Sequence, residues 1–582
     1  MAFDGIVTKK IVDELSDLKN YKIDKIYEPD KNTITLGLYG NFQNISILAS
    51  ISNNYRIHLT KHVVKNPNTA PNFCMLLRKH ILGYKIKNIY TKSLERIVFL
   101  VLENLENPEK PIFKTLIIEL MGKHSNIILV DENNIVIDSI RHTSVEENSL
   151  RDIYPTAKYM LPNLNKYNIL EMKNFEEFYS HIDSENVVNS ILDNFAGIGA
   201  INLNYIVKNI SLQKDNEYKS SKLFAHKIYT EITKLLFSKS LTIDIMYKNN
   251  LPKDYALKCL DKTSQNGFEL NYSLDDFYFE KESLELFKNY RNSILNLILS
   301  TLKKYEKRLQ NIDDKLDECS KMDTFKLYGE LIIANLYKIP NYNVSSISLE
   351  NYYDNNKPIT ITLDKKYSPQ NNAKRFFKKY NKLKNALDIV GKQKIDTSEE
   401  IDYIESIIYE IENCKNIDDI KQIYDEIEDN PIFENKSFKS KYFSSSNGKN
   451  KNYKIKSNSK KQLTSNKFAN FNPLKFVIDG YTILVGRNNK ENDYLTNKFA
   501  NKHDIWFHTK DIHGSHVILK THPNEITPDN VIYEAAKLAA LHSKAKNSSN
   551  VPVDYCEVSF VKKVPGNKPG LVIYKNNKTL YV

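Results

Sequence analysis

The chain has 582 residues, 41% of them hydrophobic and 26% charged, and 83 Lys and Arg against 71 Asp and Glu give a net charge of +12. A length of this order exceeds what one hydrophobic core organises and predicts roughly three to five domains. The basic excess is modest over such a length, so it favours a polyanionic partner only where it is concentrated. The five cysteines (Cys74, Cys259, Cys319, Cys414, Cys556) are scattered, odd in number and without a CxxC pair. That pattern argues against a disulfide framework or a zinc site and fits a reducing cytosol. The start, MAFDGIVTKK, places Asp4 where a secretory signal needs positive charge, and apolar runs such as 97–102 are too short to cross a bilayer. A soluble, cytoplasmic protein is expected.

Residues 7–18 read as an amphipathic helix, with Ile11, Val12, Leu15 and Leu18 at helical spacing. Strand patterns follow at 34–38, 45–49, 97–102, 116–120 and 127–130, with a basic helix at 73–82 between them. This predicts an α+β domain over 1–165 that is rich in antiparallel strands. Three local groups carry charge there: Asp4 before the first helix, Arg78-Lys79-His80 at the end of the second, and Glu95-Arg96 opening a strand. Spacing alone also fits a helix cap, a solvated face and a surface ion pair.

A second domain is expected over 166–275, where Phe195-Ala196-Gly197-Ile198-Gly199 separates two helical patterns. Two readings fit. One is a helix-hairpin-helix whose glycines let the backbone approach a phosphate; the other is a tight turn between packed helices. Over 276–430 two long helices are predicted. Their apolar seams run through Leu302, Tyr305, Leu309, Ile312 and Leu316, and through Phe376, Tyr380, Leu383, Leu387 and Val390. About forty residues each reach roughly 60 Å, and the intervening strands at 344–349 and 359–363 suggest an antiparallel coiled coil carrying a small tip domain. The run Lys374-Arg375 with Lys378-Lys379 fits a solvated face or an RNA contact. Between Glu434 and Asp479 there is no acidic residue but many lysines, so 431–470 is expected to be a disordered basic linker.

The last domain, 471–582, contains DIWFHTKDIHGSHVILK at 504–520, with the chain's only tryptophan, Trp506. Trp506, His508 and Lys510 on one strand offer a stacking surface beside cationic donors, a combination suited to unpaired bases and phosphate, although a half-buried strand with a core histidine also fits. Arg487-Asn488-Asn489, His516 and Lys562-Lys563 are the other polar groups expected to face RNA. No nucleotide-binding loop, metal-ligand cluster or nucleophile–base pair is visible, so neither cofactor nor catalysis is expected.

The motifs MAFDGIV, NFCMLLRKHILG, ELMGKHSNIILVDE, SLRDIYPTAKYMLP and LDKKYSPQNNAKRFFKKYNKLK resemble those of the NFACT family, as do VGRNNKENDYLTNKFANKHDIWFHTKDIHGSHV and VDYCEVSFVKKVPGNKPGLVIYKNNKTLYV. Two departures are visible: Glu95 stands where the family has Asp, and His513 where it usually has proline. The resemblance implies α+β domains at both ends and a coiled coil between. It also implies a factor that binds large ribosomal subunits obstructed by peptidyl-tRNA and recruits tRNA, in bacteria alanyl-tRNA, so that the nascent chain gains a C-terminal tail. Asp4 and the pair Glu95-Arg96 map to positions implicated in engaging tRNA, and Arg78 and Lys79 are expected to bind tRNA with them. The ribosome would supply peptidyl transfer, and the chain would act as a monomer. Two other functions compete. A surface fibronectin-binding adhesin should show an export signal or anchor. A nucleic-acid repair protein is suggested by a start reminiscent of formamidopyrimidine-type glycosylases, but Ala2 replaces the proline nucleophile they use.

Overall fold

The structure is a computed structural model and describes residues 2–582 other than 65, 105–108, 144–150, 163–165, 212–221, 261–266, 341–343, 429, 434–470, 523–524 and 564–567. The expected basic linker lies outside the described residues from 434 to 470, as does the tip of the VPGNKPG turn at 564–567. The chain divides into two compact units, 1–285 and 286–582. Among the described residues no helix is long and apolar enough to cross a membrane.

The first unit opens with α1 (Gly5–Leu15), followed by β1 (Lys22–Asp30), β2 (Thr33–Gly40), β3 (Gln43–Ser50), β4 (Arg56–Thr60) and α2 (Asn72–Ile81). Then come β5 (Lys85–Thr91), β6 (Ile97–Asn104), β7 (Ile112–Glu119), β8 (Asn126–Asp131) and β9 (Val136–Ser139). The nine strands form one antiparallel sheet in the order β4-β3-β2-β1-β5-β6-β7-β8-β9. Strand β6 is apolar at successive positions because both its faces are covered. Val98, Leu100 and Leu102 enter the main core, while Ile97 and Phe99 pack with Ile117, Ile128 and Val130 on the opposite face.

The main core continues without a break through α3 (Phe175–Tyr179), α4 (Val187–Asn194), α5 (Ala200–Ser211), α6 (Lys222–Phe237) and the hairpin β10 (Leu241–Lys248) with β11 (Leu251–Cys259). It also takes in Leu270, Leu274 and Phe277 from the first turns of α7 (Glu269–Ser320).

The joint between the N-terminus and the α4–α5 turn is made backbone to backbone. Asp4 caps α1 by accepting the Val7 amide at 3.0 Å, and also accepts from Gly199 N at 2.9 Å and Asn202 Nδ2 at 2.7 Å. The amides of Gly5 and Ile6 donate to the Gly197 carbonyl at 2.9 and 3.2 Å. A Cβ on Gly5 would lie 1.9 Å from the Leu94 carbonyl oxygen, and one on Gly197, whose φ is +78°, would lie 2.4 Å from Leu94. A Cβ on Gly199 would meet Asp4 at 2.8 Å. The space these glycines leave is therefore filled by Leu94 and Asp4 of the same chain.

In the second unit α7 runs antiparallel to α9 (Pro369–Asn413): Arg291 bonds the Ile411 carbonyl at 2.9 Å, Arg308 pairs with Glu400 at 3.5 Å and Asp313 with Lys394 at 2.8 Å. Between them α8 (Met322–Ala334) and the hairpin β12 (Ser346–Asn351) with β13 (Lys357–Thr362) form a small separate core around Leu331, Ile332, Leu349 and Ile361. Helix α10 (Ile417–Glu428) closes another core with Ile294 and Ile298 of α7 and Ile404, Ile407 and Ile411 of α9.

The C-terminal domain contains β14 (Leu474–Ile478), β15 (Tyr481–Val485), α11 (Asn489–Tyr494), β16 (Ile505–Thr509), β17 (Val517–Leu519) and α12 (Asp529–Leu541), followed by β18 (Pro552–Glu557), β19 (Val561–Lys563), β20 (Val572–Tyr574) and β21 (Lys578–Tyr581). Six strands form an antiparallel sheet in the order β14-β15-β17-β16-β18-β21, and β19 pairs with β20 separately. Helix α12 covers one face of the sheet; Trp506, Ile518 and Leu495 pack on the other.

The close approach at Gly197 is directly testable. Gly197→Ala adds a clash of about 1–3 kcal/mol to the roughly 1–2 kcal/mol an L-residue loses at positive φ. Gly122→Ala, at φ +62° with nothing within 4 Å, bears only the second cost. Denaturant unfolding should show the larger loss for Gly197→Ala; equal losses would remove the packing argument.

Candidate nucleic-acid interface

Residues far apart in sequence meet in a cavity of about 320 Å³ in the first unit, lined by Asp4, Tyr55, Glu95, Arg96, Lys166 and the 195–200 turn, among others. The fold thus brings Asp4 and Glu95-Arg96 together, along with the glycine turn. Their roles differ. Asp4 is 4% exposed and its oxygens accept from Val7, Gly199 and Asn202. Burial pushes its carboxyl above the ordinary aspartate range, offset in part by those bonds and by the charge of Arg96. Asp4 is therefore a positioning group, and the expected direct contact with tRNA is corrected to that extent, since its acceptors are spent inside the protein.

Arg96 is half-buried and donates from Nη1 to Tyr55 Oη at 2.8 Å, leaving its other donors uncommitted among the described residues. Glu95 beside it has an oxygen, Oε2, that is buried and accepts no hydrogen bond among the described residues. Burial pushes the Glu95 carboxyl up, opposed by Lys92. Lys166 adds a second cation, bonded to the Leu192 carbonyl at 2.8 Å. A fixed guanidinium next to an under-satisfied carboxylate can take a phosphate oxygen and a hydroxyl or amine donor side by side. Arg78 and Lys79 are not among the residues lining this cavity. Arg78 is committed to the Ile26 carbonyl, at 2.9 Å from Nε and 2.7 Å from Nη2, while Lys79 is exposed.

In the C-terminal domain the expected stacking surface is corrected by burial. Trp506 is 0% exposed, packed against Tyr574 at 4.8 Å and His516 at 5.3 Å, because β16 lies inside the six-stranded sheet with covered faces. His516 is 2% exposed and bonds Thr496 at 2.8 Å. Burial lowers His508 to about 4 and His516 to about 3, so both are neutral near pH 7 and supply no positive charge. Lys510 and Lys562 are exposed, and Lys563 pairs with Asp493 at 2.9 Å.

Arg487, Asn488 and Asn489 face neither solvent nor one another but the helices α9 and α10. Arg487 gives Nη1 to Asp419 at 2.9 Å and its other donors to Glu491. Asn488 donates to Gln422. Asn489 donates to Ser406 at 3.1 Å and Glu426 at 3.2 Å. A cavity of about 260 Å³ lies along this seam. Glu410 and Glu426 are buried beside it, each with an Oε2 that finds no donor among the described residues, at a cost of about 1–3 kcal/mol apiece. Burial and mutual repulsion push Glu410 well up; burial takes Glu426 to about 7, opposed by bonds from Tyr403 and Asn489.

Sequence reasoning missed Tyr55, Lys166, Asn202 and the acidic partners on α9 and α10, because each is joined to its site only by tertiary packing. It also missed His62, Asp275 and Asp276, whose ligand-type atoms lie within 4.8 Å of one another; a 3.2 Å hydrogen bond from His62 to Asp276 accounts for that grouping.

The chain matches the family described as NFACT N-terminal and middle domains over residues 4–445, and the NFACT protein RNA binding domain over 467–576. It is 32% identical to the Rqc2 homolog RqcH of Bacillus subtilis (strain 168), across 100% of this chain and 98% of that protein. The Rqc2 homolog RqcH of Streptococcus pneumoniae serotype 2 (strain D39 / NCTC 7466) is 30% identical over the same shares. Among solved structures, the fibrinogen binding protein from Staphylococcus aureus is 27% identical across 48% of this chain and 99% of that chain, with a TM-score of 0.40.

The seam has a predicted pH dependence. A glutamate whose ordinary value is 4.5 and whose folded value is raised contributes stability that is complete below 4.5 and lost as pH climbs through about 7. Unfolding of the full chain should therefore show a less stable second unit at pH 8 than at pH 6. Glu426→Gln should reduce that difference, leaving the part due to Glu410, and gain on the order of 2 kcal/mol at pH 8. An unchanged pH profile in Glu426→Gln would show that this carboxyl is not the titrating group.

Proposed function

The chain belongs to the NFACT family, and we propose that it is a ribosome-associated quality-control factor. In this reading it binds large ribosomal subunits obstructed by peptidyl-tRNA and recruits tRNA, alanyl-tRNA foremost, to extend the stalled chain with a C-terminal tail. Full-length similarity to RqcH proteins and the RNA-binding family match over 467–576 support it. The observation that carries it is the convergence of Glu95, Arg96 and the 195–200 turn on one cavity.

The work divides along the chain. Residues 1–165 hold tRNA. The coiled coil and tip at 276–430 and the RNA-binding domain at 471–582 hold the subunit. Tyr55 fixes the Arg96 guanidinium, which takes a phosphate of the tRNA backbone, and Glu95 lines the cavity beside it. Asp4 and Asn202 keep the turn against α1 so that these groups stay in register. The chain positions, and the ribosome performs peptidyl transfer. It acts as a cytoplasmic monomer, with ribosomal RNA and tRNA as its partners.

Arg96→Ala removes the charge-assisted bonds to phosphate, worth about 10- to 100-fold in binding. Tailing in cells lacking the native protein should fall by that order, while co-sedimentation with large subunits stays at the wild-type level. Parallel loss of both activities in a folded variant, or full tailing, would reject this division of labour.

A further inference from the structure

Among the described residues, the C-terminal domain meets α9 and α10 through a set of ion pairs and amide hydrogen bonds. Lys544 pairs with Glu405 at 3.0 Å, with His513 at 3.8 Å from the same carboxylate; Arg487 pairs with Asp419 at 2.9 Å, and Lys546 donates to Asn413 at 3.1 Å. Each apolar core ends at the seam. Among the described residues, the cluster around Ile294, Ile404 and Ile423 contains none beyond 433, and the two clusters of the C-terminal domain contain none before 471. Buried carboxylate oxygens without donors and a cavity of about 260 Å³ complete a junction that lacks the tight apolar fit of a permanent joint.

The ion pairs in this seam put cations on the domain's side, Arg487 and Lys544, and carboxylates opposite, Asp419 and Glu405; hydrogen bonds from Asn488, Asn489 and Lys546 complete it. A carboxylate offers a cation what a phosphodiester oxygen offers, an anionic acceptor for charge-assisted bonds. We propose that the acidic face formed by Glu405 and Asp419 is a built-in competitor for RNA, occupying Arg487 and Lys544 until RNA phosphates exchange for it and the domain leaves the seam. The inference rests on the RNA-binding reading of residues 467–576 and adds its regulation. Arg487 keeps two of its bonds in the exchange, because Glu491 belongs to its own domain; only Nη1 changes partner.

The test uses the full chain and a fluorescein-labelled single-stranded RNA, followed by anisotropy at fixed salt. Glu405→Gln with Asp419→Asn should bind about fivefold to tenfold more tightly than wild type. Glu306→Gln with Asp317→Asn on α7 removes the same two charges elsewhere and should change little. Asp419 also accepts the Lys415 amide at 3.1 Å, so Glu405→Gln alone, whose carboxylate is 40% exposed, serves as a second variant and should give part of the gain. Hydrogen exchange over α10 and α11 should quicken in wild type when RNA is added. Equal or weaker binding by the seam variants, or equal gains from the control pair, overturns the inference and leaves RNA binding intact. RNA binding by none of the proteins overturns the RNA-binding reading, and the inference with it.

Discussion

The carboxylate of Asp4 is the point on which the first unit turns. It sits out of water, ends α1, and holds the Gly199 amide and Asn202 from the α4–α5 region. Removing it would leave the buried Val7 amide and the half-buried Gly199 amide without their acceptor, a loss that costs most where the group is buried. The glycines follow from the same constraint. Gly5 and Gly197 allow the start of α1, the 94–96 segment and the 195–199 turn to touch at backbone distance. Only with that contact does Arg96 share a cavity with the turn.

The second unit is organised differently. Its helix pair, tip and C-terminal domain each bury a core of their own, and charge and amide pairs join the domain to the helices. Cores of this kind are indifferent to salt, whereas partly exposed ion pairs weaken as ionic strength rises. The ion pairs of Arg487 and Lys544 are therefore the salt-sensitive part of this unit.

Much of this was legible in the sequence. The seam positions Leu302, Tyr305, Leu309, Ile312 and Leu316 are all buried or half-buried in α7, since a 3-4 spacing can serve only one face of a helix. Strands β2, β3, β6, β7 and β8 were readable because they are long and apolar. Strands β1, β4 and β5 and the β10–β11 hairpin were not, because charged and polar residues interrupt them: KIDKIYEPD in β1 alternates around a bulge. At the candidate sites, residue type was a fair guide and burial was not. Trp506 and His516 have the composition of a base-stacking surface, yet the sheet that carries them is covered on both faces, and nothing local in DIWFHTKDIHGSHVILK reports that. The pairing of Arg487 with Asp419 spans 68 positions and could not be inferred from spacing.

The most direct test of the account is the RNA that accompanies the full chain when it is purified from its own cells at gentle salt and sequenced. The account predicts large-subunit ribosomal RNA together with one strongly enriched tRNA species, whose identity would name the amino acid added. Ribosomal RNA without tRNA enrichment, or RNA in proportion to its cellular abundance, would contradict the assignment of the Arg96 cavity to tRNA.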